Sequence, residues 1–153
     1  MHTCCRQVKD FLDYGRSLHG EIQAFYDNLN EHTDKERLKM LLGYLSRHEQ
    51  RMEESLLRFE QVTRKEILDV WLSHAPRVSI QDMIGQCGAT EGMGLDEMVD
   101  VALKFDAAMI KLYRDVAEHA ADARVKGVFQ NIVGMEESDA NKLLCDVSAM
   151  REM

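Results

Sequence analysis

The chain has 153 residues, 45% of them hydrophobic and 30% charged, which suits one domain spanning 1–153 with a sizeable core. Its formal net charge is −8 and it has no clustered basic block, so it is a poor partner for nucleic acid or an anionic membrane, whose phosphates need grouped Lys and Arg. No segment approaches the roughly 20 apolar residues of a membrane span, and residues 1–10 lack the apolar centre of a signal peptide, so the expected address is cytoplasmic.

Ten Met, a single Pro at Pro76 and many Leu, Ala, Glu and Lys favour helix. The first predicted helix runs from about Cys4 to Asn30. Val8, Phe11 or Leu12, Gly15, Leu18, Ile22, Phe25 or Tyr26 and Leu29 recur at spacings of three and four, which marks one face. The second is expected to open at Thr33, where Thr-Asp-Lys-Glu reads as a capping box. It continues to about Glu60 with Leu38, Leu41, Leu42, Leu45, Met52, Leu56 and Phe59 inward. A connection of about 62–94 follows, with Trp71, Pro76, a short helix expected over Ile80–Ile84, and a glycine-bearing tail from Gly85 to Gly94. No Gly-Lys-Ser/Thr follows those glycines, so they form a linker rather than a phosphate loop. The third long helix is predicted to start near Leu95 and continue to about His119, and the fourth to run from about Asp122 to Met150.

Short links join helices one and two and helices three and four, which predicts two antiparallel hairpins. The connection of about 62–94 is long enough to run the length of a helix of about 40 Å and start the second hairpin from the other end. The fold class is therefore all-α, a four-helix bundle of two hairpins with a long crossover. The hairpins also read as a repeat. An offset of 87 residues takes Tyr26 to Tyr113, Leu42 to Phe129, Leu45 to Ile132, Glu49 to Glu136 and Leu56 to Leu143.

The four cysteines, Cys4, Cys5, Cys87 and Cys145, contain no CxxC pair. They read as free thiols, with Cys145 as buried filler, and no disulfide is expected to be needed for folding.

Each apolar stripe meets a polar residue near its middle. The series Gly15, His19, Ile22, Tyr26 turns His19 inward; Leu45, Glu49, Met52 turns Glu49 inward. Val99, Ala102, Asp106, Met109 does so for Asp106, and Phe129, Ile132, Glu136, Asp139, Leu143 for Glu136 and Asp139. All five fall at matching depth, so they are expected to converge on one mid-bundle site. A shift of one residue would put His48 inward in place of Glu49, or Glu137 in place of Glu136. Alone, His19 reads more often as a hydrogen-bonded core histidine than as a ligand. Met52, Tyr26 and Tyr113 alone read as core residues, and His74 and His119 lie outside the constellation. Four carboxylates cannot stay ionised in a dry core. Shared protons, internal water or bound metal would each relieve them, and oxygen donors with an imidazole suit iron or manganese.

These residues resemble the ferritin-like superfamily, closest to the small rubrerythrin-like proteins, across all four helices. In that family, helices one and three carry a carboxylate seven residues before a Tyr, and helices two and four carry Glu-x-x-His. Here Tyr26 and Tyr113 are preceded at seven residues by His19 and Asp106, and the other two motifs read Glu49-Gln50-Arg51-Met52 and Glu136-Glu137-Ser138-Asp139. The resemblance implies that Glu49 and Glu136 bridge two metal ions, with His19, Asp106 and Asp139 as terminal ligands. Tyr26 and Tyr113 would orient the carboxylates, and Met52 stands where the family has His. No four-cysteine rubredoxin segment is present. The implied function is metal handling or oxidative-stress chemistry with iron or manganese, in a homodimer. The alternative is a metal-free, non-enzymatic bundle acting as a structural or partner-binding module.

Overall fold

The computed structural model describes residues 6–88 and 93–151. Cys4 and Cys5 lie outside the described residues. Four long helices dominate: α1 (Val8–His32), α2 (Glu36–Val62), α5 (Leu95–His119) and α6 (Ala123–Arg151). The crossover contributes α3 (Lys65–Leu68) and α4 (Ile80–Cys87). Helix α4 matches the short helix expected from Ile80; α3, a single turn, carries no apolar stripe from which it could have been read.

α1 packs chiefly on α2, and α5 on α6, as the short links require. Aromatic side chains then join the hairpins. Phe11 meets Phe129 edge-on at 5.8 Å and Tyr113 at 6.4 Å, while Phe25 and Tyr26 meet Phe105 at 5.7 and 6.1 Å. Such edge-to-face pairs add about 0.5–1.5 kcal/mol each beyond their buried area. The predicted stripe residues form the core. Phe11, Leu12, Ile22, Leu41, Leu42, Leu45, Leu56, Phe129 and Ile132 are fully buried.

The crossover is fastened to α1. Val8 N–H donates to the Val70 carbonyl and Leu72 N–H to that of Arg6, at 3.0 and 2.8 Å. The Tyr14 hydroxyl donates to the Val78 carbonyl and accepts from Val78 N–H, both at 3.0 Å. The Arg6 and Arg77 guanidinium groups lie over the Tyr14 ring, a cation–π arrangement. Ser79 caps α4 by accepting from Asp82 N–H, and Gly88, at φ 64°, ends it in the left-handed conformation that glycine adopts without steric cost.

Two local expectations are corrected. Thr33 does not cap α2. Its hydroxyl accepts from Lys35 N–H at 3.3 Å, two residues on, and the helix begins after Lys35. Thr33 instead ends α1 in an extended conformation. Cys145 is exposed rather than buried; it and the half-buried Cys87 are both free. Among the described residues no helix is long and apolar enough to cross a membrane.

Candidate metal centre

Five ionisable side chains meet between the helices, each no more than 5% exposed: His19, His48, Glu49, Asp106 and Glu136. α1 turns His19 inward between Gly15 and Tyr26 at helical spacing, α5 does the same with Asp106, and α6 with Glu136. α2 supplies two neighbours, His48 and Glu49. Consecutive helical residues are separated by about 100° around the axis, so one helix reaches both seams: Glu49 meets His19 of α1, and His48 faces Asp106 of α5.

The two sides of the centre differ in how tightly they close. His19 Nδ1 lies 2.6 Å from Glu49 Oε1, and its Nε2 lies 3.0 Å from Glu136 Oε2. Both are closed hydrogen bonds. A neutral imidazole has one N–H, so the pair of bonds needs a second proton on the ring or on a carboxyl. Burial alone would lower the histidine's pKa, but the charges and hydrogen bonds of Glu136 and Glu49 outweigh it, and the ring is held protonated well above its ordinary range. Glu49 is also shifted upward, by burial first, with His19 offsetting part of that effect.

On the other side, His48 Nε2 lies 3.6 Å from Asp106 Oδ1 and 4.0 Å from Glu49 Oε2. These separations exceed a hydrogen bond. One donor atom from each of the three residues lies within 4.8 Å of the other two. Donors about 2.1 Å from a common ion lie roughly 3.0–4.2 Å apart, so the His48 separations fit a shared ion. Asp106 Oδ2 is buried without any hydrogen-bond partner, the state expected of an acceptor built to meet a cation. Burial would lower the His48 pKa, but Asp106 and Glu49, with Asp139 further off, raise it.

The residues expected to supply ligands therefore separate. Glu49 and Asp106 enter the open set, joined by His48. Sequence reasoning held His48 only as a substitute for Glu49; the two buried neighbours were legible only once both seams of α2 were known to be lined. His19 and Glu136 come together in the closed set. Asp139 is half-buried and outside the three-donor group. Met52 is fully buried. Glu137, the out-of-register alternative, is exposed and paired with Arg114. His74 and His119 pack against each other with ring centroids 4.3 Å apart.

Tyr26 and Tyr113 are fully buried, and burial followed by the nearby carboxylates pushes both phenols well above their usual pKa. The Tyr113 hydroxyl has no hydrogen-bond partner, so it does not orient a carboxylate as expected. Gly15 makes room for it, because a Cβ there would collide with the Tyr113 oxygen.

This helical fold has a counterpart of known structure, a Thermotoga maritima protein. Its designation as a ferritin-like diiron-carboxylate protein is itself provisional. The two superpose with a TM-score of 0.63 at 22% sequence identity, over 94% of this chain and 95% of the other. This chain has the ferritin-like fold. No protein-family description matches it, and no curated protein is similar to it in sequence. At 22% identity the likeness speaks for the fold; what the centre binds rests on the residues of the ferritin-like chain itself.

Proposed function

We propose that this ferritin-like bundle binds a divalent transition metal, iron or manganese, at His48, Glu49 and Asp106, and serves metal handling or oxygen- and peroxide-directed chemistry. The observation that carries the reading is the open three-donor set with an unpartnered Asp106 oxygen at its edge. Two carboxylates and one imidazole form a hard, borderline donor set suited to these ions. A bound iron or manganese ion would supply redox and Lewis-acid chemistry. The protein's part is to hold the donors on rigid helices, keep bulk water out and place Glu49 between the ion and His19. The soft thioether of Met52 adds nothing for a hard ion. A homodimer belongs to the same proposal and is checked by sedimentation.

The test is metal binding by chelator-stripped protein. Titration with Mn(II) or anaerobic Fe(II), read by calorimetry and elemental analysis, should give saturable binding. His48→Ala or Asp106→Ala should weaken it at least tenfold while circular dichroism stays helical, since each removes one of three protein donors. Wild-type protein that neither retains nor takes up metal would leave the alternative, a metal-free bundle whose centre is held by its own imidazole–carboxylate pairs.

A further inference from the structure

Between α4 and α5 lies a cavity of about 280 Å³, lined by Met83, Gln86, Cys87, Val101, Lys104 and Phe105. None of the five ionisable residues of the metal centre lines it. Its two walls follow from helical spacing. Met83 and Cys87 stand one turn apart on α4, and Val101 and Phe105 one turn apart on α5. The start of α4 is pinned by the Ser79 cap and the buried Ile80, while Met83 and Cys87 further along are only half-buried. The helix therefore closes on the bundle at its start and leaves space beside α5 further on. Phe105 makes a firm floor, packed edge-on against Phe25 and Tyr26 at 5.7 and 6.1 Å. The Cys87 thiol is turned to the Ile84 carbonyl at 3.2 Å. Gln86 and Lys104 are exposed and stand at the mouth. Neither has a hydrogen-bond or ion-pair partner among the described residues, although the chain carries 27 Asp and Glu against 19 Lys and Arg.

We infer that this cavity binds a small monocarboxylate with an apolar tail. The tail lies between Met83, Val101 and Phe105, and the carboxylate meets Lys104 and Gln86. Apolar walls with a few polar groups at one side are the usual make-up of a small-molecule site. The polar groups here are donors: an ammonium offers three N–H and no acceptor, and an amide adds two more. They suit an anion and repel a cation. One ammonium matches one negative charge, whereas a dianionic phosphate ester would bring an uncompensated charge to a protein already at −8. At roughly 30 Å³ per water-sized group, the space holds about nine, which fits a straight chain of eight carbons with its head at the mouth. Each methylene that leaves water should tighten binding about fourfold.

The probe is octanoate, added to full-length protein in chelator so that the outcome is independent of the metal centre. Calorimetry should show saturable binding with Kd of about 1 mM or tighter, and hexanoate should bind roughly tenfold more weakly. Cys87 lines the cavity and Cys145 is exposed on α6. Octanoate should therefore slow alkylation of Cys87 and leave that of Cys145 unchanged, with the two peptides read separately by mass spectrometry. Octyltrimethylammonium should bind more weakly than octanoate to wild type, and Lys104→Glu should reverse that order. Lys111→Met, which removes a paired lysine of the same helix, should change neither. Val101→Trp should fill the cavity and abolish binding while circular dichroism stays helical; if it does not fold, Met83→Trp on the opposite wall replaces it. Octanoate that fails to saturate by about 10 mM, or binds without protecting Cys87, overturns the inference. So does equal protection of Cys145, a charge preference that ignores Lys104→Glu, or undiminished binding to the filled variant.

Discussion

Gly15 and Tyr113 show how one residue's absence of a side chain shapes the centre. Gly in a helix interior costs roughly 1 kcal/mol relative to Ala, yet Gly15 faces the site because the Tyr113 hydroxyl fills the space a Cβ would take. That hydroxyl is itself buried without a partner, a state that costs about 1–3 kcal/mol. Gly15→Ala should therefore destabilise by about 1–2 kcal/mol despite the better helix former, since overpacking of 1–3 kcal/mol outweighs the propensity gain. Tyr113→Phe should be neutral or stabilise by about 1 kcal/mol, and should rescue part of the Gly15→Ala loss in the double variant. Urea denaturation of the four proteins measures the coupling; strictly additive effects would show that the two positions do not compete for one space. The site residues were legible in proportion to their isolation in a stripe. His19, Glu49, Asp106 and Glu136 each interrupt an apolar series and are all buried. His48 was obscured because it adjoins Glu49, and helical periodicity nominates one inward residue per turn where α2 turns both into the bundle. Nothing in the spacing could show that His19 would close a pair of hydrogen bonds while His48 would not, because that depends on how far apart the helices stand.

At the scale of elements, the long helices were readable because each has several turns of apolar repeat, and α5 spans Leu95–His119 as expected. Their ends were less so. The Thr-Asp-Lys-Glu sequence has the residues of a capping box, but Thr33 is occupied in ending α1 and in holding Lys35 N–H, so the tight turn overrides the local signal. The crossover depends on tertiary fastening more than on pattern. Tyr14 is its main polar anchor, with two hydrogen bonds to the Val78 backbone and two guanidinium groups over its ring. Tyr14→Phe keeps the ring and removes both hydrogen bonds. The expected loss is about 1–2 kcal/mol, and native-state hydrogen exchange should show faster opening around Val78 than in the centres of α1 and α2. Uniform acceleration across the bundle would mean that the crossover is not a separable unit.

The whole molecule joins a helical scaffold, 83% of its described residues, to a buried cluster of five ionisable groups. Its stability should therefore depend on pH in a way that reports what the centre holds. In chelator, His19, His48 and Glu49 all have pKa values above their ordinary ones. Each group binds its proton more tightly in the folded state, so each contributes stability that is lost as pH rises through the folded-state value. For the two histidines that stability is fully present below the unfolded value of about 6.5; for Glu49 the corresponding loss begins from about 4.3 upward. The three signs agree, so the metal-free protein should melt progressively lower from pH 6 to pH 9, and His19→Gln should flatten much of that slope. Bound metal reverses the contribution of His48. A ligand imidazole must be neutral, so protons compete with the ion, and affinity rises as the pH rises through the His48 value. At a free Mn(II) concentration about 100 times Kd, binding stabilises by about 2.7 kcal/mol, roughly 5–10 °C in melting temperature for a protein of this size. The gap between melting curves with Mn(II) and with chelator should therefore widen from pH 6 to pH 8. Asp106→Ala should cut that gap by about half or more, since a tenfold weaker site leaves about 1.4 kcal/mol at the same Mn(II) concentration. A gap independent of pH would place the bound ion away from His48, and a metal-free melting temperature that climbs over the same range would show that the histidines do not carry protons in the folded centre.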